Sequence, residues 1–266
     1  MRKLSNIQSK NIIITGASSG IGHMMAIQVA KQGGNPILVA RTEARLKKLQ
    51  EQLVDTYDVD CRFYVVDLLD LQAWNNCLHK IVEDVQQIDA IINNAGFGIF
   101  DYIEKSDWNK IESMVQLNIL ALIRAVHQLL PHFIERKQGH IINIGSQAGK
   151  IATPKSAVYS ATKHAVIGFT NALRLEVEEK GIFVTSVNLG PVRTNFFELA
   201  DPSGTYQHSV DRFMLDPETV AKKVVGILFT NKREINMPRW MSAGSKMYQL
   251  FPSLMERLLK NQFNRK

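Results

Sequence analysis

Short β-branched apolar runs alternate along this chain with longer stretches whose apolar residues recur every three or four positions. The runs at 11–15, 36–40, 61–66, 90–93, 140–144, 183–188 and 234–237 predict strands. Helical periodicity fills 20–32, 43–57, 71–86, 107–135, 156–179 and 217–230. The strand runs are apolar almost throughout instead of alternating, as strands covered by helices on both faces should be. An α/β fold with a doubly wound parallel sheet of about seven strands is therefore expected. No repeat, low-complexity tract or Pro/Ser-rich linker breaks the rhythm, so 1–266 reads as one domain. Two segments depart from it. Residues 190–216 are mixed in polarity and poorly periodic, which predicts a loop or lid over the strand ends. Residues 239–266 follow the last strand as a C-terminal helical appendix.

Composition adds mainly exclusions. At 45% hydrophobic and 21% charged the chain is globular in character. No apolar run approaches the ~18 residues of a membrane span. Met1–Asn6 lack the apolar core of a signal peptide, so a cytoplasmic protein is expected. Two cysteines, Cys61 and Cys77, cannot build a disulfide framework, and the scattered histidines show no H-x-x-x-H pair, so no metal is expected. The net charge of +7 is concentrated at one end. Residues 231–266 hold eight Lys/Arg against Glu234 and Glu256 alone, which leaves a nearly neutral body and argues against nucleic acid as a partner.

Candidate chemistry begins where the first predicted strand runs into Thr15-Gly16-Ala17-Ser18-Ser19-Gly20-Ile21-Gly22 and then a helix. Glycines there permit a tight turn, close backbone approach to a pyrophosphate and tight helix–strand packing, while the helix start supplies N–H donors. Strand, glycine turn and helix together make the expected sheet Rossmann-type. Downstream, Tyr159 and Lys163 are four apart in a predicted helix, so both project from one face. A free phenol titrates near ~10, and a neighbouring ammonium is expected to lower that value and make the tyrosine a usable acid/base. Ser146, at the end of the fifth predicted strand, can bond the same reacting oxygen.

Taken together, Thr15-Gly16-x-x-x-Gly20-x-Gly22, Asp67, Asn93-Asn94-Ala95-Gly96, Asn118, Ser146, Tyr159-x-x-x-Lys163 and Gly190-Pro191-Val192-x-Thr194 closely resemble the short-chain dehydrogenase/reductase family in its short single-domain form. The resemblance covers residues 10–240. It implies that Tyr159 is the general acid/base and that Lys163 binds the nicotinamide ribose and tunes Tyr159. Ser146 would orient the substrate carbonyl or alcohol, and Asn118 would hold a water that relays protons to solvent. It places the cofactor against Gly16, Ser18, Ser19, Gly20, Ile21 and Gly22, with Asp67 and Leu68 at the adenine. Asn94, Ala95 and Gly96 would lie at the ribose, and Pro191, Val192 and Thr194 at the nicotinamide end. Two departures stand out: Leu189 occupies a position where the family often has proline, and His23-Met24-Met25 are bulky where small residues are common. His23 reads as a helix-surface residue.

Cofactor choice is read from the second strand, which ends in Ala40-Arg41 where an NAD-type site usually places Asp or Glu. Arg41, with Arg45 a helical turn on, suits a 2′-phosphate, so NADP(H) is expected over NAD(H), the alternative being an arginine that only stacks on the adenine. Phe97, Phe100, Phe196, Phe197, Leu199, Tyr206, Phe213 and Met214 suit an apolar carbonyl or alcohol substrate, although Phe and Met in loops more often pack the lid itself. A homodimer or other homo-oligomer is expected. A non-catalytic nucleotide-binding regulatory or scaffold protein is the other class, which loss of Tyr159, Lys163 or Ser146 would mark; all three are present.

In the tail, Pro252 suits a first helical turn, and Leu254, Met255, Leu258, Leu259 and Phe263 follow at helical spacing among Arg257, Lys260, Arg265 and Lys266. Met247, Leu250 and Phe251 extend the apolar surface upstream. Two readings stay open: a helix packed on the body or a partner subunit, closing the substrate cleft, or peripheral contact with a membrane surface.

Overall fold

The structure, a computed structural model, describes residues 7–263; Met1–Asn6, Arg265 and Lys266, used above, lie outside the described residues. Seven strands form one sheet: β1 (Asn11–Thr15), β2 (Asn35–Ala40), β3 (Arg62–Val65), β4 (Ala90–Asn93), β5 (Gly139–Ser146), β6 (Ile182–Leu189) and β7 (Glu234–Met237). The first half of the chain adds α1 (Gly20–Ala30), α2 (Glu43–Tyr57), α3 (Leu71–Val85), α4 (Trp108–Val115) and α5 (Ala121–Arg136). The second adds α6 (Ala157–Val177), α7 (Phe196–Ala200), α8 (Thr205–Val210), α9 (Pro217–Val225), α10 (Arg239–Leu250) and α11 (Pro252–Phe263). All neighbouring strands are parallel, in the order β3-β2-β1-β4-β5-β6-β7.

The apolar strand runs follow from burial on both faces. Successive side chains of a strand point to opposite sides. Ile12 and Ile14 of β1 meet Met25 and Val29 of α1, Leu46 of α2 and Val224 of α9. Ile13 between them enters the other layer, with Trp74 of α3, Leu129 and Phe133 of α5 and Leu173 of α6. Polar alternation would place a side chain in one layer or the other without a partner.

Three expectations are corrected. The helix expected over 107–135 is interrupted by a π-helical turn, Gln116–Leu120, between α4 and α5. Hydrophobic period barely changes across one wider turn, so the pattern hides it. By length and composition Trp108–Arg136 could cross a membrane, yet Ala121, Ala125, Leu129 and Phe133 are core residues of the second layer. The segment 190–216 is not a plain loop: it holds α7 and α8, of five and six residues, and a 3₁₀ turn at Asp211–Phe213. Elements that short show too few repeats for the 3.6 period to register. Finally, α9 stops at Val225, ahead of the expected 230, because Gly226 begins a run of turns.

Candidate functional site

The strand order reverses direction at β1. The chain leaves β1 for β2 and β3 on one side, then returns to β4 on the other, and such a switch point opens a crevice at the strands' carboxyl ends. Thr15 closes the floor of that crevice. Its Oγ1 accepts from the Asn94 and Ala95 amides at 2.9 and 3.0 Å, while Asn94 Nδ2 donates to the Thr15 carbonyl at 2.9 Å. Gly16 turns with φ +68°, and a Cβ there would approach Ala95 Cα to 3.1 Å. A Cβ on Gly22 would lie 2.2 Å from the Gly16 carbonyl, so the start of α1 packs against its own turn only without a side chain. Gly22→Ala is therefore expected to cost ~1–3 kcal/mol of stability through backbone displacement. Urea unfolding checks this; an unchanged midpoint would show that the turn can relax.

Ser146 ends β5, and Tyr159 and Lys163 stand one turn apart on α6. Ser146 Oγ donates to the Leu189 carbonyl at 3.2 Å and accepts from the Ala148 amide at 3.1 Å. Lys163 Nζ donates to the Ile144 carbonyl at 3.0 Å and lies 5.8 Å from the Tyr159 ring centroid. Both side chains are buried. The expectation that the ammonium pulls the phenol down is corrected here. Burial raises Tyr159 to about 12, and its hydrogen bond with Ser146 only partly opposes this. Burial also lowers Lys163 to about 8, so the low-dielectric setting acts on both groups and penalises the charged form of each.

Asn118 lies in the π turn, and its side chain is committed to the protein. Its Oδ1 accepts from the Phe97 amide at 3.0 Å, and its Nδ2 donates to the Phe97 carbonyl at 2.8 Å and to Thr162 Oγ1 at 3.1 Å. This amide fixes the strand-end segment Gly96-Phe97 to α6, and both of its hydrogens are spent on protein acceptors. The sequence reading missed a second support behind Ser146. Gln147 Nε2 donates to the Asn188 carbonyl at 2.9 Å, and Lys150 Nζ reaches Asn236 Oδ1 at 2.9 Å and Glu234 Oε2 at 2.8 Å. Asn188 and Asn236, polar residues in β6 and β7, were the available signal.

Every expected site residue except Gly22 and Asn118 lines one cavity of about 980 Å³. One end holds the glycine turn, Arg41, Asp67 and Leu68. Arg41 is corrected in one respect: the neighbouring strand brings Asp67 Oδ2 to 3.8 Å from its Nη1, so a carboxylate is nearby after all. Both side chains are exposed, and such a pair is worth only ~0–1 kcal/mol. At the other end Tyr159 meets Phe100 and Phe196, each 5.8 Å away between centroids, and Tyr206 meets Phe100 at 5.2 Å. Phe97, Phe197 and Leu199 also line it; Phe213 and Met214 do not. A further wall comes from the C-terminal helices, in line with the reading of the tail as a helix packed over the substrate cleft: Trp240, Met241 and Tyr248 of α10 and Met255 of α11. His23 is half-buried outside the cavity, and burial lowers its pKa. Among the described residues no cluster of His, Cys, Asp and Glu could hold a metal ion.

The sequence pattern of the short chain dehydrogenases matches residues 10–203. An uncharacterised oxidoreductase of Staphylococcus saprophyticus is 33% identical over 219 residues, 82% of this chain and 91% of that one. A fatty acyl-CoA reductase of Acinetobacter baylyi is 31% identical over 261 residues, 97% of this chain and 86% of that one. The solved short-chain dehydrogenase of Sphingobium yanoikuyae in complex with NADPH superposes with a TM-score of 0.80 at 27% identity, covering 92% of this chain and 95% of that one.

Proposed function

The chain belongs to the short chain dehydrogenase family of oxidoreductases, and we propose that it interconverts an apolar carbonyl compound and its alcohol with NADP(H). The observation that carries this reading is the convergence of Ser146, Tyr159 and Lys163 with the glycine turn in one cavity. The residues fit a dinucleotide. Gly16 and Gly20 turn at positive φ, and a Cβ on Gly20 would close to 3.3 Å on Thr194 opposite. Ser19 caps α1 without a side-chain bond, which leaves first-turn N–H groups for a pyrophosphate beside Ser18, Gly20 and Ile21. Asp67 and Leu68 would flank the adenine, and Asn94, Ala95, Gly96 and Lys163 the nicotinamide ribose. Pro191, Val192 and Thr194 would hold the nicotinamide end. Bound, the cofactor supplies or takes up the hydride.

The chain's own residues manage the oxygen and the proton. Ser146 Oγ and Tyr159 Oη would hold the carbonyl oxygen; in reduction the Tyr159 O–H gives its proton to that oxygen, and in oxidation it takes one back. Asn118 is a positioning residue, its side-chain amide tying Phe97 to Thr162 of α6 beside the reacting groups. The cavity's aromatic wall favours an apolar substrate, and likeness to a fatty acyl-CoA reductase supports that class. A homodimer or larger homo-oligomer in the cytoplasm belongs to the same proposal.

Preference for NADP(H) rests on Arg41, just after β2, and Arg45, in the first turn of α2, both lining the cavity. A 2′-phosphate would displace the weak contact to Asp67 in favour of charge-assisted bonds worth ~1.5–3 kcal/mol. Arg41→Asp is expected to cut kcat/KM with NADPH on the order of 100-fold while sparing NADH. Steady-state rates with both nucleotides check it, and equal wild-type efficiency with the two would refute the preference. The whole reading is tested by a screen of aliphatic ketones, aldehydes and alcohols, following reduced nicotinamide absorbance. Turnover by wild type is expected; tight NADPH binding without turnover of any compound would favour the non-catalytic class.

A further inference from the structure

The two C-terminal helices present two unlike faces. Met241, Gly244 and Tyr248 of α10 face the cavity, and Ser245 between them is buried. Trp240, Ala243, Met247 and Leu250 recur at i, i+3, i+7 and i+10, which is one stripe of α10, and all four are exposed, as is Phe251 just past the helix end. Leu254 and Leu258 of α11, the next helix, are exposed as well, with Leu250 and Leu258 at 69% and 67% exposure. From the lid segment, exposed Phe213 joins them, 5.5 Å from the Trp240 ring. Exposed apolar side chains gathered on packed neighbouring helices in this way mark an interaction surface.

Charge indicates what covers it. Exposed Arg239, Lys246 and Arg257 accompany the stripe, while Glu256 is the sole carboxylate side chain in residues 239–266 and accepts from Tyr248 Oη at 2.9 Å. An apolar stripe flanked by cations, with low mean hydropathy overall, matches the interface of an anionic bilayer, where apolar side chains enter the acyl boundary and cations meet headgroups. A second copy of this chain would present the same positive charge and repel it.

We propose that α10 and α11 form an interfacial docking element that seats the protein on an anionic membrane and opens the substrate cavity toward the lipid. Trp240 links the two faces, being exposed on the stripe and also lining the cavity, as does half-buried Met255 on α11. An apolar substrate dissolved in the bilayer thus has a short path to Tyr159. Docking is independent of the redox chemistry, so vesicle binding and turnover can fail separately.

The test is co-sedimentation of the full chain, without nucleotide or substrate, with vesicles of phosphatidylglycerol and phosphatidylcholine and with phosphatidylcholine alone. Binding to the anionic vesicles, weakened by high salt, is expected. The double variant Leu250→Glu, Leu254→Glu should lose at least about tenfold in vesicle affinity, since each leucine would leave lipid. Neither residue lines the cavity, so its melting temperature should match wild type. A wild-type chain that stays in the supernatant with anionic vesicles would overturn the proposal. So would undiminished binding by a folded double variant, or a wild-type dimer that ignores vesicles and dissociates in the variant.

Discussion

Tyr159→Phe is expected to lower kcat for carbonyl reduction by ~10³-fold, within the ~10²–10⁴ that a positioned acid/base contributes. The substitution removes one oxygen and keeps the ring, so the edge contacts to Phe100 and Phe196 at 5.8 Å survive and the aromatic wall stays in place. Ser146 retains its own partners, the Leu189 carbonyl and the Ala148 amide, and can still orient the substrate oxygen, but the acid that protonates that oxygen is gone. NADPH affinity should change little, because only the transferable proton is lost. Because burial holds the Tyr159 phenol near 12, the proton is in place throughout the neutral range, which suits the reductive direction. Steady-state kinetics with a fluorescence titration of NADPH separates the two quantities. Wild-type kcat in this variant would remove Tyr159 from the mechanism.

Lys163→Met is expected to cost most of the activity while raising stability at neutral pH. Lys163 is buried, and burial brings its pKa from 10.5 to about 8, which corresponds to ~3 kcal/mol against the charged form in the folded chain. At pH 7 that full penalty is present, because the lysine is charged in both folded and unfolded states. As pH rises from about 8 to 10.5 the folded chain has released the proton and the unfolded chain still holds it, so wild-type stability climbs. Methionine fills similar volume without the charge but leaves the Ile144 carbonyl without its 3.0 Å donor, a loss of ~1 kcal/mol. The net gain expected at pH 7 is ~2 kcal/mol, and it should shrink and reverse toward pH 10.5. Urea unfolding of both proteins across that range measures it. A variant less stable than wild type at pH 7 would mean that the buried ammonium is fully compensated. Activity should fall with NADPH affinity in this variant, unlike in Tyr159→Phe, because Lys163 serves both the ribose and the proton.

The sheet was legible because its strands are buried on both faces. Ile12-Ile13-Ile14 must be apolar at every position to serve two layers, and that leaves a run no amphipathic helix would show. The glycine turn and the Tyr159/Lys163 pair were legible for a related reason, since each depends on local spacing along one element. What escaped depends on elements far apart in sequence. Asp67 reaches Arg41 only because β3 lies beside β2, and although a tail helix closing the cleft was one open reading, the choice of Met241, Tyr248 and Met255 as its wall depends on how α10 and α11 fold back over the cavity. The direction of the Tyr159 shift escaped too, because helical spacing reveals the nearby ammonium and says nothing of the burial that outweighs it.

Single-turnover transfer of deuterium from C4-labelled NADPH to an apolar ketone or aldehyde tests the central claim most directly. The wild-type chain should deliver one label to the carbinol carbon of the alcohol formed, and Tyr159→Phe should bind the same nucleotide and deliver almost none in the same time. Label that stays on the bound nucleotide with every carbonyl offered, in wild type and variant alike, would contradict the account.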